Sequence, residues 1–113
     1  MQIQINSDRH IVGSPQLASR VQALVRDTLE RYADRITRVE IHLNDLNSVK
    51  GGGDDMRCLM EARVAGIGAV SAGHEAESLD LAIDAAMEKL ERAIEHKLGR
   101  IEMTTSGKRS GKG

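Results

Sequence analysis

Residues 2–8 alternate, with Ile3 and Ile5 on one side and Gln2, Gln4 and Asn6 on the other, the period of a short half-buried strand. The period then changes. Leu17, Val21, Leu24, Val25, Leu29, Tyr32 and Ile36 recur at spacings of three and four, which predicts one amphipathic helix of about 20 residues. Ser14-Pro15 supplies its start, with Ser as the N-cap and Pro at the first helical position, where its missing N–H costs nothing. From Thr37 the period returns to two, Val39, Ile41 and Leu43 alternating with Arg38, Glu40, His42 and Asn44. The stretch from Asn47 to Asp55 holds Gly51-Gly52-Gly53-Asp54-Asp55 and reads as a loop.

Alternation resumes at Arg57, with Cys58, Met60, Ala62 and Val64 facing one way and Leu59, Glu61 and Arg63 the other. Gly66-Ile67-Gly68 suits a hairpin turn, and Ala69 to His74 return as a fourth, weaker strand. Ser78 caps a second helix with Asp80 in its first turn, and Leu79, Ile83, Ala86, Met87, Leu90, Ile94, Leu98 and Ile101 form its apolar stripe. Gly99 is a possible early end to that helix, although Ile101 continues the pattern. The order is β-α-β-β-β-α. Each helix has one greasy stripe and each strand one greasy side, so the expected α+β fold is a four-stranded sheet with two helices packed on one face. Residues 1–102 are expected to form this domain. Thr104 to Gly113 has no apolar residue, and 103–113 are expected to be a disordered basic tail.

Composition narrows the function more than the fold. At 113 residues the chain suits one domain, and 40% hydrophobic with 29% charged residues is the balance of a globular protein. One Tyr and no Phe or Trp argue against base stacking on an aromatic sheet or a methyl-ammonium cage. A single Cys excludes an intramolecular disulfide and a Cys-based zinc site, and it fits a reducing, cytoplasmic setting. No apolar run approaches the roughly 18 residues of a membrane span.

The charge calls for segregation by face if the chain is to hold a polyanion. Lys and Arg number 16 against 17 Asp and Glu, a net charge of −1, whereas domains that coat phosphate are usually basic. On a wheel of about 100° per residue, Arg20, Arg31, Arg35 and Arg38 fall within roughly 60° of one another if the first helix runs that far. On the second helix, Asp80, Asp84, Glu88, Glu91 and Glu95 occupy one flank of the stripe. Lys89, Arg92, His96 and Arg100 occupy the other, with Lys97 nearer the stripe. A solvated helix surface laced with intrahelical pairs such as Glu88–Arg92 accounts for the same pattern without any ligand.

Other chemistry-bearing residues give weaker signals. Cys58, in an alternating strand beside Met60, reads as a buried inert thiol. His10, His42, His74 and His96 contain no helical i, i+4 pair, so no metal site is expected. His42 and Arg63 are expected on the open face of the sheet. Gly51-Gly52-Gly53 lacks the following Lys-Ser/Thr of a phosphate loop, and Asp54-Asp55 lacks the ligand count of a calcium loop. Glu40 and Glu61 can meet across strands without forming an inferable cleft. No enzyme and no cofactor are expected.

Two runs carry a resemblance. Leu29-Glu30-Arg31-Tyr32-Ala33-Asp34-Arg35-Ile36, leading into Val39-Glu40-Ile41-His42-Leu43, resembles the first helix and second strand of the bacterial hibernation-promoting factor family, which includes the ribosome-associated inhibitor A proteins. Leu79-Asp80-Leu81-Ala82-Ile83-Asp84, followed by Glu88-Lys89-Leu90-Glu91-Arg92, is similar to that family's second helix. The resemblance covers residues 1 to about 101 and matches the short form, without the extra C-terminal domain that pairs ribosomes. It implies a domain shaped like a double-stranded-RNA-binding domain that docks in the mRNA–tRNA channel of the small ribosomal subunit and silences idle ribosomes under stress.

What the resemblance implies for the site is a set of basic residues on both helices facing ribosomal RNA. Arg31 and Arg35 fall in the matched first run, with Arg20 added from the wheel. Lys89, Arg92 and Arg100 match basic positions of the second helix, His96 stands where Lys is common, and Lys97 lies beside them. Glu91 and Glu95 depart from the more basic family pattern. The implied partners are the small subunit and its RNA; no membrane and no small-molecule substrate are expected, and the oligomeric state is left open with a monomer favoured. The alternatives are a protein-interaction module on the same fold with a weakened RNA surface, or self-pairing through a sheet edge or the open face, where Leu59 is exposed.

Overall fold

The computed structural model describes residues 1–8, 11, 14–46 and 56–110, giving the backbone alone for 101–110. The elements are β1 (Gln2–Ser7), α1 (Pro15–Thr28), β2 (Ile36–Asp45), β3 (Met56–Val64), β4 (Gly68–Ala76) and α2 (Leu79–Ser110). The sheet order is β1-β2-β3-β4. β1 runs parallel to β2, pairing Ile3 with Val39 and Ile5 with Ile41, while the other two pairings are antiparallel. This is the expected β-α-β-β-β-α order and α+β class. One core cluster joins Val21 and Val25 of α1, the inner faces of the strands, and Ile83, Met87, Leu90, Ile94 and Leu98 of α2. The apolar stripe read from the sequence is therefore the face that α2 lays across β3 and β4. Each fully buried Leu or Ile in it contributes about 1.5–3 kcal/mol relative to exposure.

The first helix is shorter than its periodicity predicts. Its start is as expected, with Pro15 in the first turn and the Leu17 N–H donating to Ser14 Oγ at 3.0 Å. The α-helix ends at Thr28, and a 3₁₀ turn spans Glu30–Tyr32. The Tyr32 and Arg35 N–H groups then bond the Leu29 and Tyr32 carbonyls at 2.9 and 2.8 Å, three residues back in each case. Leu29 and Ile36 are both buried, so the chain must drop from the helix layer to the sheet between them. Tight turns achieve this with the same apolar spacing of three to four, which is why periodicity does not reveal the break. The wheel that grouped Arg20 with Arg31, Arg35 and Arg38 does not hold past Thr28. Arg38 lies in β2.

A bulge follows at once. The β2–β3 register shifts between Ile36 and Arg38, and this extra residue lets Ile36 and Val39, three apart, both face the core. The β3–β4 turn is built as its glycines predict, with Gly66 at φ +83° and Gly68 at φ +100°, where a Cβ would be strained. β4 extends two residues beyond the expected His74, to Ala76. Gly99 does not end α2, whose backbone continues to Ser110. The expected tail begins within the residues given as backbone alone and ends in 111–113, outside the described residues. The Gly51–Gly53 loop with Asp54 and Asp55, and His10, also lie outside them.

Candidate nucleic-acid interface

The charged flanks of α2 meet different neighbours. Ser78 Oγ accepts from the Leu81 N–H at 3.2 Å and fixes the start of the helix. The buried stripe then fixes its rotation, so every charged flank position is determined. Asp80, Glu91 and Glu95 point toward α1 and the turn that follows it. Asp80 pairs with Arg20 at 2.5 Å, and Arg31 pairs with Glu95 at 3.3 Å and Glu91 at 3.9 Å. The Arg31 guanidinium also lies 4.8 Å above the Tyr32 ring, a cation–π contact. Burial pushes the Tyr32 hydroxyl above its ordinary pKa; Arg31 opposes that shift, and Glu95 and Glu91 reinforce it.

The opposite flank faces outward over the edge strand. Lys89 Nζ donates to the Gly73 carbonyl of β4 at 3.5 Å, which marks the side to which this flank points. Arg92, His96 and Arg100 continue along it at steps of four, all exposed, as is Lys97. Residues three and four apart on a helix are surface neighbours, so Lys89, Arg92, His96 and Arg100 form one ridge. Arg92 lies 3.9 Å from Glu88. Lys89, His96, Lys97 and Arg100 make no ion pair among the described residues.

The structure thus divides the eight predicted residues into two groups. Lys89, Arg92, His96, Lys97 and Arg100 share the outer side of α2. Arg20 and Arg31 lie across the acidic flank from them, engaged by carboxylates, and Arg35 sits near Arg31 beside a cleft that includes Tyr32 and Glu95. Sequence reasoning missed the part played by Glu91 and Glu95, counted there only as departures from a basic pattern. Their common flank was visible on the wheel. Which element faces that flank was not.

The open sheet face is mixed in sign. Arg38 bonds Gln4 and, at 2.7 Å, Glu40, which also lies 3.4 Å from His42, while Arg57 pairs with Glu75 at 3.4 Å. His42 and Arg63 share this face, and Glu40 pairs with Glu61 in register, as expected. Leu59 is exposed on it, beside Gly73. Cys58 is buried as expected, and burial pushes its thiol up to about 12. Among the described residues no three His, Cys, Asp or Glu are grouped to hold a metal ion, and no helix is long and apolar enough to cross a membrane.

The family described as "Sigma 54 modulation protein / S30EA ribosomal protein" matches residues 3–102. This chain belongs to that family. The resemblance to hibernation-promoting factors read from the two sequence runs is borne out by the match. Two solved structures share the fold. The N-terminal domain of Thermus thermophilus Protein Y superposes with a TM-score of 0.64 at 22% identity, covering 81% of this chain and 93% of that one. A ribosomal subunit interface protein from Coxiella burnetii gives a TM-score of 0.56 at 22% identity, covering 87% and 99%. A search among curated proteins found no match.

Proposed function

We propose that this S30EA-family chain is a ribosome-associated translation inhibitor, a hibernation factor that binds ribosomal RNA in the mRNA–tRNA channel of the small subunit. The observation that carries the reading is the outer ridge of α2, where Lys89, His96 and Arg100 have no ion partner among the described residues. The family match supports ribosome association, and the name of the Coxiella burnetii neighbour points to the same particle. The mechanism is occupancy rather than bond chemistry. Cationic tips neutralise phosphates and release counterions, the rigid two-layer domain supplies shape, and other ligands of the channel are excluded. The protein acts in the cytoplasm as a monomer, with no membrane, cofactor or small-molecule substrate.

Reversing Lys89, Arg92 and Arg100 to Glu tests this directly. The triple variant should lose co-sedimentation with small subunits at low salt, by about a hundredfold or more in affinity for three lost phosphate contacts with added repulsion. Its circular dichroism should match the parent, because all three side chains are exposed. A variant that sediments like the parent rejects the ridge. A nuclease-insensitive protein complex in place of ribosome binding would favour the interaction-module reading, for which exposed Leu59 offers a contact.

A further inference from the structure

A cleft of about 420 Å³ opens between the turn after α1 and the second half of α2, bounded by Arg31, Tyr32, Arg35, Glu95, Leu98 and Gly99. Its chemistry suits an anionic oxygen. Two guanidinium groups border it, Leu98 is buried beneath, and a Cβ at Gly99 would meet nothing within 4 Å. Arg35 makes no ion pair among the described residues, whereas Arg31 is held by Glu95 at 3.3 Å and Glu91 at 3.9 Å. A carboxylate and a phosphate diester present the same kind of oxygen to a guanidinium. The Arg31 cluster already contains the anion that an RNA phosphate would have to replace.

We infer that Glu91 and Glu95 are internal stand-ins for RNA phosphate, which occupy Arg31 in the free protein and must yield it before this side of the domain joins the RNA surface. The inference rests on the RNA-binding reading above and deepens it: the two carboxylates set the affinity of the site. The exchange is poised because neither partner is deeply buried. Exposed ion pairs contribute little, and both they and their phosphate replacements are screened by salt. Tyr32 keeps the guanidinium near the cleft in either state through the cation–π contact. Lys89, His96 and Arg100 carry no such restraint among the described residues, so the outer ridge engages first and the Arg31 side follows.

The test uses the full chain with Glu91→Gln and Glu95→Gln together, a change that keeps side-chain shape. The charge-matched control is Glu30→Gln with Glu77→Gln, two exposed residues in no ion pair among those described. The Glu91/Glu95 variant should bind small subunits about three- to fivefold tighter than the control. Its plot of log affinity against log salt should steepen by a little under one, the signature of one further neutralised phosphate. In an Arg31→Gln background that advantage should vanish. An equal gain in both double variants, or a gain that survives without Arg31, overturns the inference.

Elution from immobilised heparin separates this outcome from failure of the function itself. If the parent binds no subunits, the ribosome reading falls. The heparin comparison still decides the carboxylate exchange: later elution of the Glu91/Glu95 variant than of the control supports it, and equal elution overturns it.

Discussion

The two flanks of α2 lie on one helix, yet one is charge-compensated and the other is not. Toward α1 and the 3₁₀ turn after it, Asp80 meets Arg20 and Glu91 and Glu95 meet Arg31, and the cations there serve the molecule's own electrostatics. Toward the edge strand, Lys89, Arg92, His96 and Arg100 face water, and among the described residues Glu88 is the one carboxylate in an ion pair with them. The difference teaches that net charge is a poor guide to polyanion binding. A chain at −1 keeps a cationic ridge because the acids of α2 gather on the other flank, where Asp80, Glu91 and Glu95 pair with Arg20 and Arg31. It also teaches that a cation's presence and its availability are separate properties.

The largest effect should come from unsettling what holds the two flanks apart. Leu90 is fully buried at the centre of the stripe, so Leu90→Ala should cost about 2–5 kcal/mol in urea denaturation. A loss below 1 kcal/mol would mean that the stripe does not pin the rotation of α2. Salt gives the next largest contrast. Four phosphate contacts, from Lys89, Arg92, Lys97 and Arg100 on the outer side of α2, predict a fall in subunit affinity of roughly fifty- to 150-fold between 50 and 200 mM salt. Thermal stability should scarcely move over that range, because the ion pairs on the inner flank are exposed and weak. A shallow binding curve would break the ridge model.

The smallest effect compares single cations. Arg31→Gln should lower stability by about 0.2–1 kcal/mol, since it strands two carboxylates, whereas Arg100→Gln should stay within about 0.5 kcal/mol of the parent. Matched urea curves for the two variants check this. Arg100→Gln should instead cost affinity, so the pair divides a fold-keeping cation from a ligand-seeking one.

Much of this architecture was legible along the chain. The switches between periods of two and three to four, the Ser14-Pro15 and Ser78 starts, and the glycines at 66 and 68 are local signals, and local backbone preferences executed them. The end of α1 at Thr28 was not legible. Leu29, Tyr32 and Ile36 satisfy helix and 3₁₀ turn alike, and the choice fell to the descent needed to bury both Leu29 and Ile36. The bulge that turns Ile36 and Val39 to one side was hidden for the same reason.

The site divides along the same line. By itself the sequence determined that α2 carries acids on one flank and bases on the other, because a helix converts spacing into angle at a fixed rate. Only the tertiary structure decided which flank would face α1 and the 3₁₀ turn after it, and hence that Arg31 is occupied while Arg100 is free among the described residues. That choice belongs to packing. The apolar stripe had to face the sheet, and docking it beside α1 brought carboxylates and guanidinium groups from distant parts of the chain within ion-pair reach.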